Sequence, residues 1–170
     1  MIYQGIKMPE QTVYDFSLPI QSGKTIDLND YRGKPLLIVN TASHCKFTPQ
    51  YESLQDLWML YRKWGLTIIG IPSADFGKQE FEKDEEIQDF CNNRYNIGFI
   101  LAQKSHVKGK NAIPLFRWLA KQGGFLGQPR WNFYKYILNR QGKLYKSFSS
   151  MTSPSSKRFI NAIERTCYDF

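Results

Sequence analysis

Two short, unbroken apolar runs, Pro35-Leu-Leu-Ile-Val-Asn and Leu66-Thr-Ile-Ile-Gly-Ile, restrict the fold of this chain more than any other feature. Each has the length of a strand and lacks polar alternation, the pattern of a strand covered on both faces. Between them, Thr48 followed by Pro49 predicts an N-cap with proline at the first helical position. Tyr51, Leu54, Leu57, Trp58 and Tyr61 then recur at three- and four-residue spacing, and Gly65 predicts the stop. Residues 35–71 therefore read as strand, helix, strand, which implies parallel strands joined by a right-handed crossover.

The flanking segments add to this unit. Val13-Tyr-Asp-Phe-Ser-Leu and Lys24-Thr-Ile-Asp-Leu on either side of Gln21-Ser-Gly predict an N-terminal β-hairpin. Asp84 to Tyr95 places Ile87, Phe90, Cys91 and Tyr95 on one helical face, and Pro114 to Lys121 predicts a further helix carrying Leu115, Trp118 and Leu119. Phe133 to Leu138 and Lys143 to Phe148 alternate around Asn139-Arg-Gln-Gly, a second hairpin. A last helix from about Pro154 turns Phe159, Ile160, Ile163 and Cys167 inward. The order is that of an α/β thioredoxin-like fold, a central mixed β-sheet flanked by helices with an N-terminal β-hairpin. With 170 residues, 42% of them hydrophobic, one domain spanning 1–170 is expected.

Three widely spaced cysteines, Cys45, Cys91 and Cys167, suit neither a disulfide framework nor a metal knuckle, and His44 and His106 do not sit at ligand spacing. No metal and no bound cofactor are expected. The N-terminal residues lack the apolar stretch of a secretory signal, and no run approaches a membrane span, so a cytoplasmic protein is expected. Charge is uneven. Residues 1–100 hold 10 Lys/Arg against 13 Asp/Glu, whereas 101–170 hold 13 against Glu164 and Asp169, a net −3 followed by +11. Such asymmetry suits an anionic partner, whether nucleic acid, an acidic protein or an acidic small thiol, and equally a solvated basic face, which is the reading favoured over nucleic-acid binding.

Cys45 lies just past the carboxyl end of a buried strand and just before a helix, where sheets of this kind place ligands and where helix amides favour an anion. A thiolate is such an anion, and it is the reactive form of cysteine; Lys46 adds a neighbouring positive charge. Position alone leaves a second reading open, in which Cys45 is a small buried hydrophobe.

The wording around Cys45 narrows the choice. Val39-Asn-Thr-Ala-Ser-His-Cys-Lys-Phe-Thr-Pro-Gln-Tyr closely resembles the peroxidatic motif of glutathione peroxidases, Ile71-Pro-Ser-Ala-Asp-Phe-Gly-Lys-Gln-Glu resembles that family's second motif, and Trp131-Asn-Phe-Tyr-Lys-Tyr its third. Val107-Lys-Gly and Pro114-Leu-Phe-Arg-Trp-Leu match the segment between them. The resemblance implies a catalytic tetrad of Cys45, Gln79, Trp131 and Asn132, with cysteine at the family's selenocysteine position. It implies reduction of hydrogen peroxide or organic and lipid hydroperoxides through a Cys45 sulfenic acid. Cys91 resembles the resolving thiol of members recycled by thioredoxin, although its helical face suits a core residue equally well; Cys167 is expected to be structural. Recycling by thioredoxin is favoured over glutathione, and the short stretch from Gly123 to Arg130 favours a monomer or weak dimer.

Several positions depart from the family pattern: Lys46 for glycine, Ala74 for asparagine, Phe81 and Ile100 for proline. A lysine at 46 conflicts with any need for a left-handed backbone there. Two other functions use the same features. A peroxide sensor would use Cys45 and Cys91 with little turnover, and a nucleic-acid-binding module would use the alternating basic and aromatic residues of Arg130 to Tyr136 with Arg140, Lys143 and Lys146.

Overall fold

A computed structural model describes residues 8–168. Its centre is a five-stranded mixed sheet of order β5-β4-β3-β6-β7. The two unbroken apolar runs are β3 (Leu36–Thr41) and β4 (Thr67–Pro72), in the middle of this sheet, and every residue of both is buried. They run parallel, as the crossover requires, with β5 (Ile100–Leu101) parallel on the far side of β4. β6 (Lys135–Leu138) and β7 (Leu144–Phe148) form the expected hairpin, antiparallel to β3 and to each other.

Burial on both faces follows from the alternation of side chains along β3. Leu36 and Ile38 join the cluster beneath α3 (Pro114–Gln122), with Leu115, Phe116, Trp118 and Leu119. Leu37 and Val39 join the opposite cluster, built with Tyr51, Leu54 and Leu57 of α1 (Gln50–Tyr61), Ile87 of α2 (Asp84–Phe90) and Phe159 and Ile163 of α4 (Lys157–Cys167). Burying each such side chain contributes about 1.5–3 kcal/mol, so an unbroken apolar strand is stable only where both faces are covered. Gly65, at φ 89°, ends the turn after α1, as the spacing predicts.

Local chemistry shifts several boundaries. The N-terminal hairpin consists of β1 (Ser17–Pro19) and β2 (Thr25–Asp27), shorter than its sequence pattern. Val13–Asp15 forms a 3-10 turn, because the Asp15 carboxylate accepts the Thr12 N–H at 2.8 Å and closes the chain on itself. α4 begins at Lys157, where the Ser156 hydroxyl caps the Phe159 N–H at 3.3 Å, three residues after Pro154. The helix expected over 84–95 is α2 followed by a π turn at Cys91–Tyr95. No helix among the described residues is long and apolar enough to cross a membrane.

Candidate active site

β3 delivers the chain through Ala42 and Ser43 to Cys45, which is 8% exposed and lies in the turns leading into α1. Thr48 is not the N-cap of α1; the helix starts at Gln50, and the Thr48 side chain turns back instead. Its hydroxyl accepts the Cys45 N–H at 2.9 Å and donates to the Ala42 carbonyl at 2.8 Å, clamping the cysteine's backbone from both sides. The sulfur accepts the Phe47 N–H at 3.4 Å. Lys46 is exposed and sits over the Phe47 ring at 5.3 Å. Among the described residues, the positive-φ residues other than glycine are Lys78, Asn96 and Phe133, so position 46 needs no glycine conformation and its lysine fits.

Two further segments meet the Cys45 turn. The His44 N–H donates to the Gln79 carbonyl at 3.0 Å, which brings the loop after β4 against it. The Asn132 amide donates to Gln79 Oε1 at 3.1 Å and to the Phe76 carbonyl at 3.3 Å, tying in the turn before β6. With Gln79 Oε1 occupied in this way, its Nε2 carries the remaining amide donors. Trp131 is 37% exposed and packs on Phe76 with ring centroids 5.8 Å apart. Gly77, at φ +70°, makes room for it: a β-carbon there would lie 3.2 Å from Trp131 Cη2 and 3.4 Å from Gln79 Cδ.

The structure thus gathers Gln79, Trp131 and Asn132 into one cluster joined to the Cys45 turn through His44. Among the described residues, the hydrogen bond to the sulfur itself comes from Phe47 rather than from this cluster. Phe47, Thr48 and Asn40 lie within the motif around Cys45, yet the sequence assigns none of them a role at the site. Asn40, at the end of β3, is buried and holds the Trp131–Phe133 turn twice: its Nδ2 donates to the Trp131 carbonyl at 2.9 Å and its carbonyl accepts the Phe133 N–H at 2.6 Å.

The side chain of His44 joins an aromatic group. His44 meets Phe81 edge-on at 4.4 Å, and Phe81 meets Phe90 at 5.8 Å. The phenylalanine at 81 thus packs on the ring of the residue that precedes Cys45. His106 pairs with Asp75 at 2.7 Å. Burial opposes ionisation of Asp75, but the His106 contact and the Val107 and Lys108 N–H groups outweigh it and hold the carboxyl below its ordinary range.

Cys91 is 0% exposed, at the junction of α2 and the π turn, and is unbonded, as are Cys45 and Cys167. Burial pushes its thiol up to about 11, and the Tyr51 hydroxyl facing it offsets little of this. Cys167 is likewise pushed up to about 11 by burial. Both are inert thiols at neutral pH in this conformation. The run considered for base stacking is spent in the core: Phe133 and Tyr136 are 0% exposed and Tyr134 is 4% exposed. Arg140 is engaged with the carbonyls of Gly33, Trp64 and Cys167.

A cysteine in the turn between a central parallel strand and the following helix, in a mixed sheet of this order, is the arrangement of a thioredoxin-like fold. A thiol:disulfide interchange protein of the thioredoxin family from Chlorobium tepidum shares that fold, with a TM-score of 0.68 at 15% identity, covering 89% of this chain and 92% of its own. The family model for glutathione peroxidase matches residues 13–120, and the chain belongs to that family. It is 41% identical over 143 residues to a glutathione peroxidase of Lactococcus lactis, covering 83% of this chain and 91% of the relative. It is 42% identical over 151 residues to the hydroperoxy fatty acid reductase gpx1 of Synechocystis, covering 84% and 89% respectively. The apo crystal structure of Trgpx superposes with a TM-score of 0.72 at 31% identity, covering 93% of this chain and 99% of that one. The protein is therefore a glutathione peroxidase-like thiol peroxidase, an oxidoreductase that reduces hydroperoxides at the expense of thiols.

Proposed function

We propose that Cys45 is the peroxidatic thiol and that Gln79, Trp131 and Asn132 serve it. The observation that carries this reading is the meeting of three separate segments at one turn, with Phe47 N–H already donating to the sulfur. The Cys45 thiolate attacks one peroxide oxygen; the O–O bond breaks, Cys45 becomes a sulfenic acid, and the departing alkoxide or hydroxide takes a proton to leave as alcohol or water. The free N–H groups of Gln79 and Trp131 stabilise the charge that moves from sulfur to the leaving oxygen. Asn132 acts through Gln79 by fixing which way its amide points.

Resolution is assigned to Cys91. Its thiol condenses with the sulfenic acid, forming the disulfide and releasing water, and a dithiol reductant of the thioredoxin type then exchanges with that disulfide. Cys91 starts buried on a different element, so the step requires α2 to unwind. Support comes from the shortness of α2, seven residues running into a π turn, since helices of this length owe their stability to packing rather than to propensity. Three unbonded, widely spaced cysteines suit a reducing compartment such as the cytoplasm, and the basic C-terminal part suits an acidic reductant protein.

The test is peroxide consumption by the purified protein with thioredoxin and its reductase, beside glutathione and its reductase, for wild type, Cys45→Ser and Cys91→Ser. Sustained turnover with thioredoxin that disappears in both variants is expected. Turnover that survives loss of Cys91 with glutathione moves resolution to the small thiol. Rapid single oxidation with a slow steady state under both reductants favours a sensor.

A further inference from the structure

Lys135 is 0% exposed, in β6, on the sheet face otherwise occupied by Leu37, Val39 and Ile137. A lysine head group in such surroundings is costly unless its hydrogen bonds are met. Here its Nζ donates to the Phe133 carbonyl at 2.6 Å and to the Ser149 carbonyl at 3.2 Å, and among the described residues no carboxylate bonds to it. Burial pulls its pKa down to about 7, so the lysine is held there at a cost that a leucine would not incur.

The two carbonyls belong to different turns. Phe133 closes the turn that displays Trp131 and Asn132, at φ 62°, a left-handed conformation that a phenylalanine keeps only under constraint. Asn40 holds this turn at the Trp131 carbonyl and the Phe133 N–H, and Lys135 holds it at the Phe133 carbonyl. Ser149 lies in the turn after β7, whose next carbonyl, that of Ser150, accepts the Gln50 side chain at 2.7 Å. Gln50 is the first residue of α1, the helix that follows Cys45. A bridge thus runs from the turn bearing the donors, through Lys135 and the second turn, to the helix that follows the Cys45 turn.

We propose that Lys135 is a positioning residue of the peroxidase reaction, which fixes the Trp131–Phe133 turn relative to the Cys45 turn and so sets where the Trp131 and Gln79 donors stand when peroxide binds. The proposal rests on Cys45 being the peroxidatic thiol. Lys135 touches neither the sulfur nor the peroxide, and it acts through the backbone of Phe133.

The test is Lys135→Met, a side chain of similar length without a donor, read by two measurements on folded protein. One is the pH profile of Cys45 alkylation by iodoacetamide, with the modified residue located by mass spectrometry. The other is the rate of a single oxidation by hydrogen peroxide. Displacing donors that stabilise charge at the reacting centre predicts a fall in the oxidation rate of about tenfold, with the alkylation midpoint moving to higher pH. Lys135→Gln, which keeps one donor on a shorter arm, is expected to fall between. A folded Lys135→Met with both readouts within about twofold of wild type would overturn the proposal. If Lys135→Met does not fold, Gln50→Leu cuts the far end of the same bridge at a half-buried position; a shift in the same direction supports the bridge, and an unchanged profile refutes it. A wild type inert to peroxide removes the role assigned to Cys45, whereas an active wild type with an unchanged variant removes Lys135 alone.

Discussion

Replacing Thr48 with valine isolates the clamp on the Cys45 backbone, because valine has the shape of threonine without its hydroxyl. Thr48 is 5% exposed and its hydroxyl serves two main-chain groups, the Cys45 N–H and the Ala42 carbonyl. Thr48→Val leaves both without a partner while creating no cavity. An unsatisfied buried polar group costs about 1–3 kcal/mol, and partial relaxation of the turn keeps the sum near the lower half of the range, about 2–4 kcal/mol. At about 2–4 °C per kcal/mol for a chain of this size, the melting temperature falls by about 5–15 °C. Urea unfolding followed by circular dichroism measures the free energy, and hydrogen exchange at the Cys45 amide reports whether the loss is local. Thr48→Ser, which keeps the hydroxyl, is expected to lose only about 1 kcal/mol for the missing methyl group. A Thr48→Val protein within about 0.5 kcal/mol of wild type, with unchanged exchange at Cys45, refutes the clamp.

Trp131→Phe removes the indole N–H from a partly exposed ring, so stability is expected to stay near wild type while the single-turnover oxidation rate falls by about tenfold to a hundredfold; stopped-flow peroxide oxidation checks it. Gly77→Ala places a β-carbon 3.2 Å from Trp131 Cη2 at a φ of +70°, and is expected to cost about 1–2 kcal/mol in denaturant unfolding and to slow oxidation by displacing the ring. Lys135 has a folded pKa of about 7, below its unfolded value, so the unfolded state binds more protons above pH 7 and stability rises with pH from there. The rise is at most about 1.4 kcal/mol per pH unit, and ends near pH 9, where the thiols raised to about 11 begin to favour the unfolded state. Urea titrations at several pH values are expected to show this slope in wild type and to lose it in Lys135→Met.

The unbroken runs at β3 and β4 announced their place because only a strand covered on both faces tolerates such a composition, and the crossover followed from it. Val13–Asp15 misled because Val13 and Tyr14 are both buried, breaking the period of two, and because the Asp15 carboxylate favours a closed turn. The spacing of Ile87, Phe90, Cys91 and Tyr95 is the same for an α-helix and for one ending in a π turn, so the junction at Cys91 was invisible. The grouping of Gln79 and Asn132 near the Cys45 turn agrees with where the motifs put them, and the individual chemistry of these residues gave no hint of it. Thr48 carried a real capping signal, yet its hydroxyl is engaged by Cys45 and Ala42. Asn40 and Lys135 were unreadable as positioning groups because their partners are main-chain atoms distant in sequence, a relation that residue type does not encode.

The central claim is that peroxide oxidises Cys45 first. It is tested most directly by treating Cys91→Ser protein with one equivalent of hydrogen peroxide in the presence of dimedone and mapping the adduct by mass spectrometry. The account predicts a sulfenic acid adduct on Cys45, with Cys167 unmodified, and a Cys45–Cys91 disulfide in place of the adduct when the same treatment is given to wild type. An adduct on Cys167 with Cys45 untouched, or no adduct while peroxide is still consumed, contradicts it.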